Sequence, residues 1–360
     1  RRGIFRTQVG ETRPVVNADR IAMLHRFSHE LGERERAVDV EARLDAIENT
    51  PLRYPAWLLV PLVALACASV AVLANGSYRE VLAVLPASAI AYGLHRLLTR
   101  LQFNLLSVVV TSAAIASALY VSFAQLSTPV AGSPRPRFAA GFVCASIFLI
   151  PGFPLVTAGL DLARLDLDTG VPRITYAAMV VLAMAIGVWL VASVTGVSPT
   201  PVAPIEGHPM TVWAALIAAS FFAVFGWATM FNVPPATAVA SGVVAIVGNV
   251  PRLLLLENGV KPHVATFVGC VIIGLGCAVV AGWFQMTKII MTVPTLLVSI
   301  PGSPALRTLI YFDQADITAA IASGVSTVLV IVAMVAGLSA ARMLTDPEWT
   351  FTRFATGRDH

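Results

Sequence analysis

The sequence predicts an all-α polytopic membrane protein: about ten transmembrane helices in two inverted five-helix repeats with broken helices, preceded by a short N-terminal cytoplasmic helical segment. Three observations carry this expectation. Of 360 residues, 57% are hydrophobic and only 12% charged, with a mean hydropathy of +0.79, more apolar surface than one water-soluble core can hide. Apolar runs long enough to cross about 30 Å of hydrocarbon recur along the chain. The pentapeptide Ile150-Pro151-Gly152-Phe153-Pro154 returns as Ile300-Pro301-Gly302-Ser303-Pro304, 150 residues later (301 − 151 = 150). Proline lacks the N–H and glycine is permissive, so each copy interrupts a helix at membrane depth. Duplicated interruptions of this kind mark inverted-repeat carriers.

Residues 1–53 form the one substantial polar segment. Ile21, Leu24, Phe27 and Leu31 recur at three- and four-residue steps, which predicts an amphipathic helix from Asn17 to Leu31. A second helix is expected from Val38 to Ile47, ending before Pro51, and both read as surface helices packed on the membrane domain. Spans expected at 56–74, 80–98, 103–125, 138–155 and 174–195 make an N-terminal membrane repeat, residues 54–196. Residues 197–209 hold Pro199, Pro201, Pro204 and Pro209 without Lys or Arg and read as a linker. Spans at 209–229, 234–256, 263–284, 286–301 and 316–342 make a C-terminal repeat, 210–343, followed by a cytoplasmic tail, 344–360. With an odd number of spans per half, the second half enters the bilayer from the other side and the two interruptions face each other.

The formal charge of +4 rests mainly on arginine, and Arg1, Arg2, Arg6, Arg13, Arg20, Arg26, Arg34, Arg36, Arg43 and Arg53 precede the first span. Such a basic head favours a cytoplasmic N-terminus. Arg96, Arg100, Arg164, Arg173, Lys288 and Arg342 then fall inside, whereas Arg135, Arg137, Arg252, Lys261 and Arg307 fall outside. Opening on Arg1 suggests a start partway through a longer protein, and Arg1 to Asn49 holds no apolar stretch of a signal peptide. Cys67, Cys144, Cys270 and Cys277 lie in apolar segments as small hydrophobes, implying neither a disulfide framework nor a zinc site. His25 and His29 have metal-capable spacing but no third ligand nearby. The chain lacks a phosphate loop with its lysine, a nucleophile elbow, a Cys-x-x-Cys pair and a basic-aromatic stripe. An enzyme, an ATP-driven pump and a nucleic-acid binder are therefore not expected, nor is any cofactor or metal.

Unwound backbone at membrane depth is tolerated only where it is buried in protein or lines a cavity. Pro151, Gly152, Pro154, Pro301, Gly302 and Pro304 are thus the expected walls of a substrate cavity, with Asn104 and Lys288 as nearby polar groups. Freed amides attract a carboxylate and freed carbonyls an ammonium group; an amino acid offers both, and a dicarboxylate with a second positive partner fits as well. Asp161, Asp166, Asp313 and Asp316 follow the interruptions and are candidate proton-coupling groups, because a carboxylate held in the bilayer costs about 2.5–3.5 kcal/mol on insertion scales. Helix capping is the alternative role, and for Asp168 the preferred one. Lys288, between Met286 and Met291, either meets a carboxylate or extends to the interface. Arg252, after Pro251, reads first as an interfacial arginine, with a cavity role as the alternative.

Several stretches together resemble one family. They are Asn17-Ala-Asp-Arg-Ile-Ala-Met-Leu-His25; Glu41-Ala-Arg-Leu-Asp-Ala-Ile-Glu-Asn-Thr-Pro-Leu-Arg-Tyr-Pro-Ala-Trp57; Ile150-Pro-Gly-Phe-Pro-Leu-Val-Thr-Ala-Gly-Leu-Asp161; and Val293-Pro-Thr-Leu-Leu-Val-Ser-Ile-Pro-Gly302. In order and spacing they are similar to the threonine/serine exporter family of secondary transporters. The resemblance implies two fused five-span halves, a further cytoplasmic portion upstream of Arg1, and export of threonine, serine or similar small amino acids driven by the proton motive force. Some branches, including ones with the halves on separate polypeptides, are associated with dicarboxylates such as succinate, which is the alternative substrate. Readings from other classes are a non-transporting membrane scaffold that recruits a partner through residues 1–50, and a channel. The expected partners are a small amino acid or dicarboxylate, protons and the lipid bilayer. The many small residues in the spans permit a homo-oligomer.

Overall fold

The computed structural model describes residues 17–31, 36–126, 140–196, 208–284, 286–300 and 302–350, and every regular element among them is helical. Two short helices come first, α1 (Ala18–Glu30) and α2 (Ala37–Glu48). The first membrane half follows as α3 (Ala56–Leu73), α4 (Tyr78–Arg100), α5 (Leu105–Leu126), α6 (Ala140–Cys144), a 3₁₀ turn (Ile147–Leu149), α7 (Gly152–Ala163) and α8 (Leu167–Thr195). The second is α9 (Pro209–Met230), α10 (Pro235–Glu257), α11 (Pro262–Phe284), α12 (Lys288–Leu296), a 3₁₀ turn (Leu297–Ser299), α13 (Gly302–Asp313) and α14 (Ile317–Thr345), and α15 (Pro347–Thr350) closes the described chain. The linker at 197–207 and the tail beyond 350 lie outside the described residues.

Among the described residues, eight helices are long and apolar enough to cross a membrane: α3, α4, α5, α8, α9, α10, α11 and α14. The spans expected at 138–155 and 286–301 are the two interrupted ones. Each is a short helix, a 3₁₀ turn and a second helix. Ile150 and Ile300 are extended, with ψ of 124° and 129°, and Pro151 takes ψ 68°, so the helix stops there. Pro154 and Pro304 do not take part in the interruption. Each is the third residue of the helix that follows, where its missing N–H would have had no intrahelical acceptor, so it starts a helix instead of ending one. Pro301 lies outside the described residues.

The two halves repeat almost residue for residue. α4 and α10 start 157 residues apart (235 − 78 = 157), as do α5 and α11 (262 − 105 = 157). The 3₁₀ turns, α7 and α13, and α8 and α14 are then offset by 150 (302 − 152 = 150). The seven-residue difference falls in the connection before α6. The corners repeat too: Asn75 and Asn232 follow the first helix of each half at φ 62° and 61°, and Leu165 and Ala315 precede α8 and α14 at φ 61° and 58°. Both of those long helices are capped by an aspartate, Asp166 accepting from the Thr169 N–H and Asp316 from the Ala319 N–H.

Packing follows the same order in each half. α3, α4, α5 and α8 pack in sequence, as do α9, α10, α11 and α14, and the halves join along α3 and α9. Glycine makes the closest approaches possible. A Cβ on Gly187 of α8 would stand 2.4 Å from the Val110 carbonyl oxygen of α5, and one on Gly337 of α14 would stand 2.6 Å from that of Phe267 on α11. These are equivalent positions in the two halves. With no water or hydrophobic effect to drive helices together inside a bilayer, such close backbone contact supplies much of the association.

Side-chain contacts fix which helix ends share a face. The Tyr54 hydroxyl, just before α3, donates to the Val233 carbonyl just after α9 (2.8 Å), and the Arg53 N–H donates to Asn232 Oδ1 (2.9 Å), so α3 and α9 are antiparallel. Burial pushes the Tyr54 phenol up, which keeps it protonated as a donor. Lys288 Nζ donates to the Thr345 carbonyl (2.9 Å), which brings the start of α12 to the end of α14. Trp349 lies 4.7 Å from the Arg164 guanidinium and 5.5 Å from that of Arg342, which brings the α7–α8 corner there as well. α1 docks on this face. Its first residue, Ala18, donates its N–H to the Phe231 carbonyl (2.9 Å), Asn232 Nδ2 donates to Asn17 Oδ1 (2.8 Å), and Arg53 Nη2 holds both oxygens of the buried Asp19 at 3.0 Å.

Replacing Gly337 by leucine forces a side chain against backbone and should cost about 1–3 kcal/mol, read as a lower midpoint of thermal unfolding in detergent. Asn232→Ala removes the acceptor of the Arg53 N–H and the donor to Asn17, and should expose α1 to faster amide exchange while the exchange of α4 and α5 stays unchanged.

Candidate functional site: the junction of two interrupted helices

The two interruptions meet inside the molecule. A Cβ on Gly152 would stand 2.3 Å from Leu297 Cδ2, and one on Gly302 would stand 3.6 Å from Val143 Cγ1 and 3.8 Å from Ile147 Cδ1. Because 147 and 297 are equivalent positions, each helix start rests on the 3₁₀ turn of the other half. Between them is a cavity of about 10 Å³, lined by Ile147, Ile150, Leu297 and Ile300 together with Trp227 and Met230 of α9. That is room for about one water molecule. Trp227 is 2% exposed and its indole Nε1 has no hydrogen-bond partner. A buried donor without an acceptor costs about 1–3 kcal/mol, so this N–H is a ready contact for a group that brings one.

Around the junction the two halves are not arranged alike. α7 packs on α14, and a Cβ on Gly159 would lie 2.4 Å from Val335 Cγ2 and 3.4 Å from Val335 Cβ. At the equivalent place in the other half, α13 touches α8 but leaves a gap beside it. The gap is a cleft of about 400 Å³ whose walls include Ala185 of α8, the counterpart of Val335 (335 − 150 = 185), with Thr308 and Thr327 as its polar groups. Sequence equivalence and structural difference coexist at this one pair of interfaces.

The expected site residues divide between the junction and the surface. Gly152 and Gly302 form the junction walls, with Pro151, Pro154 and Pro304 in the adjoining chain; Asn104 and the aspartates sit elsewhere. Asn104 is exposed and caps α5, its Oδ1 accepting from the Leu106 N–H (3.0 Å). Asp161, near the end of α7, forms an ion pair with Arg173 of α8 (2.5 Å). Asp166 and Asp316 are the exposed caps described above, Asp168 is exposed in the first turn of α8, and Asp313 is the last residue of α13 with its side chain outside the description. Lys288 lines a separate cavity of about 550 Å³ against α1, beside His25, Arg26 and Glu30.

Sequence reasoning missed Trp227, which is one of six tryptophans in apolar surroundings and is singled out only by what packs around it. It also missed Glu80. Among the described residues of α3 to α14 this is the one buried carboxylate, accepting from the Ser77 N–H (2.7 Å), the Ser77 hydroxyl (3.1 Å) and the Tyr120 hydroxyl (3.2 Å). The capping box Ser77-x-x-Glu80 was legible; its burial against α5 was not.

Two membrane halves with matching interrupted helices, brought together at their breaks, define a polytopic membrane protein of the broken-helix class. The chain belongs to the threonine/serine exporter family. The threonine/serine exporter family model matches residues 5–195, and a second, described as "Threonine/Serine exporter, ThrE", matches residues 216–344. The chain is similar to "Probable succinate transporter subunit YjjP" of Klebsiella aerogenes, with 34% identity over 164 residues, which is 44% of this chain and 58% of that one. It is also similar to the protein of the same name from Escherichia coli K12, with 31% identity over 157 residues, 44% of this chain and 59% of that one. The chain thus spans less than two thirds of the length of these relatives. No solved structure matches it.

For the Asp161–Arg173 pair, half-exposed on the arginine side, a double-mutant cycle with Asp161→Asn and Arg173→Gln should give a coupling of about 0.2–1 kcal/mol in thermal stability.

Proposed function

We propose that this protein is a secondary exporter of small hydrophilic metabolites, threonine or serine first, which works by exchanging the packing of its two halves around the junction. The supporting observation is the asymmetry of equivalent interfaces: α7 is closed on α14, whereas a cleft opens beside the contact of α13 with α8. A carrier with inverted repeats has two states in which the halves trade conformations, and one such state looks like this. The cleft beside α8 is almost wholly apolar, so it serves as space into which α13 swings, and the solute seat is the junction itself, where Trp227 Nε1 meets an acceptor. The antiparallel setting of α3 and α9 and the helix ends that share the α1 face support ten crossings, with each interrupted pair counted as one. The basic segment before α3 supports placing that face in the cytoplasm of the inner membrane. Succinate-type dicarboxylates are the second substrate class, favoured by the name of the relatives.

The proton step belongs to the same proposal. Asp161 is its first candidate, released from Arg173 when α7 moves, with Asp166 at the same corner and Asp313 and Asp316 at the equivalent corner of the other half. Asp161→Asn should then abolish gradient-driven exchange while leaving the fold intact; full activity in that variant removes Asp161 from the mechanism.

The closed interface offers a direct test of the exchange. Gly159→Cys with Val335→Cys places two Cβ atoms about as close as a disulfide requires. Proteoliposomes loaded with threonine, serine or succinate should lose counterflow of the labelled solute when this pair is oxidised and regain it with dithiothreitol. Unchanged exchange in the cross-linked protein rules out the proposed movement.

A further inference from the structure

Beside the second interruption, four elements each turn a polar side chain toward one spot. Ser220 of α9, Asn249 of α10 and Thr266 of α11 are at most 1% exposed. Asn249 Nδ2 donates to Ser220 Oγ (2.9 Å), its Oδ1 accepts from Arg252 Nη1 (2.9 Å), and Arg252 Nε donates to Thr266 Oγ1 (3.4 Å). Thr266 and Cys270 lie one turn apart on α11. Cys270 is close to Arg252, and its thiol faces the hydroxyl of Ser299 in the 3₁₀ turn; Ser299 is fully buried, and that hydroxyl has no nitrogen or oxygen partner. Gly269 leaves the room, since a Cβ there would stand 3.0 Å from Arg252 Cβ.

The guanidinium therefore has only neutral partners. No carboxylate pairs with it among the described residues. Arg252 is partly exposed, so a group of opposite sign can reach it, and an arginine fork held at two of its nitrogens by fixed acceptors is already shaped for a carboxylate. The fold does not demand this cluster. The equivalent positions in the first half are Val63 for Ser220, Val109 for Thr266, Ala113 for Cys270 and Leu149 for Ser299, leaving only Tyr92 and His95 opposite Asn249 and Arg252. Two halves whose α4 and α10, α7 and α13, and α8 and α14 match at both ends differ in chemistry here.

We propose that Arg252, positioned by Asn249 and Thr266 and assisted by the Ser299 hydroxyl, binds the carboxylate group of the solute on its way through the second half. This deepens the exporter reading and rests on it, and it makes a carboxylate a requirement of the substrate class. Arg252→Gln keeps one side-chain donor toward Asn249 and removes the charge; Arg252→Lys keeps the charge and loses the fork; Ser299→Ala removes only the free hydroxyl.

Binding is measured apart from transport so that the two readings can fail separately. Purified protein in detergent is titrated with L-threonine, L-serine, succinate and, as a carboxylate-free probe, L-threoninol, following thermal unfolding; counterflow is run on the same preparations. Expected is ligand-dependent stabilisation by the carboxylates and none by threoninol. Arg252→Gln should weaken it by about tenfold or more, Arg252→Lys less, and Ser299→Ala by a few-fold. Carboxylate binding that depends on Arg252 in a protein without counterflow supports the site and sinks the exporter reading. Counterflow with unchanged KM in Arg252→Gln and Ser299→Ala overturns the site and leaves the exporter reading standing. Threoninol binding as tight as threonine, or no stabilisation by any of the carboxylates, overturns it as well; if Arg252→Gln does not fold, the lysine and alanine variants decide.

Discussion

Everything in this structure is arranged around one constraint: a polypeptide that stops being helical in the middle of a bilayer has to surround its own backbone with protein. Ile150 and Pro151 leave the helical path, and Ile300 does the same in the other half. Neither could be left facing lipid, where an unpaired peptide group costs several kcal/mol. The solution is mutual. Each helix start is covered by the 3₁₀ turn of the opposite half, so the two defects become a single shared interior. The long helices around them provide the wall, and their glycines allow it to be thin.

This explains why the fold was largely legible in the sequence and why the site was only partly so. Spans, interruptions and the offset between halves rest on local chemistry: apolar run length, the missing proline N–H, and a repeated Ile-Pro-Gly. Hydropathy alone does not say where inside 138–155 and 286–301 the helix stops, and the role of Pro154 and Pro304 depends on which residue is counted as the first of the next helix. Asp161 was legible as an acid after an interruption, but its partner Arg173 lies twelve residues away across a corner. Arg252 was legible as an arginine within an apolar stretch, but Trp227 and the partners gathered around Arg252 gave no local sign, because they are a property of three-dimensional packing.

Pseudo-symmetry also sharpens what counts as evidence. Where the halves agree, as in the aspartate caps of α8 and α14 or the glycine approaches on α5 and α11, the agreement follows from a shared fold and says little about chemistry. Where they disagree, the fold has been excused and some other requirement is at work. Three such places stand out: Glu80 opposite Thr237, the polar cluster of the second half opposite valine, alanine and leucine, and the open α8–α13 face opposite the closed α7–α14 one. The first two are differences of sequence, fixed in the chain. The third is a difference of packing between elements of closely similar length and order.

The stack at Trp349 has a consequence of a practical kind. Its ring lies between a guanidinium from the α7–α8 corner and one from α14, groups that belong to opposite halves of the chain. A nearby cation shifts the emission of an indole, and here the two cations come from different halves of the chain. With the other five of the six tryptophans replaced, the emission of Trp349 reports on how the two halves meet at this corner.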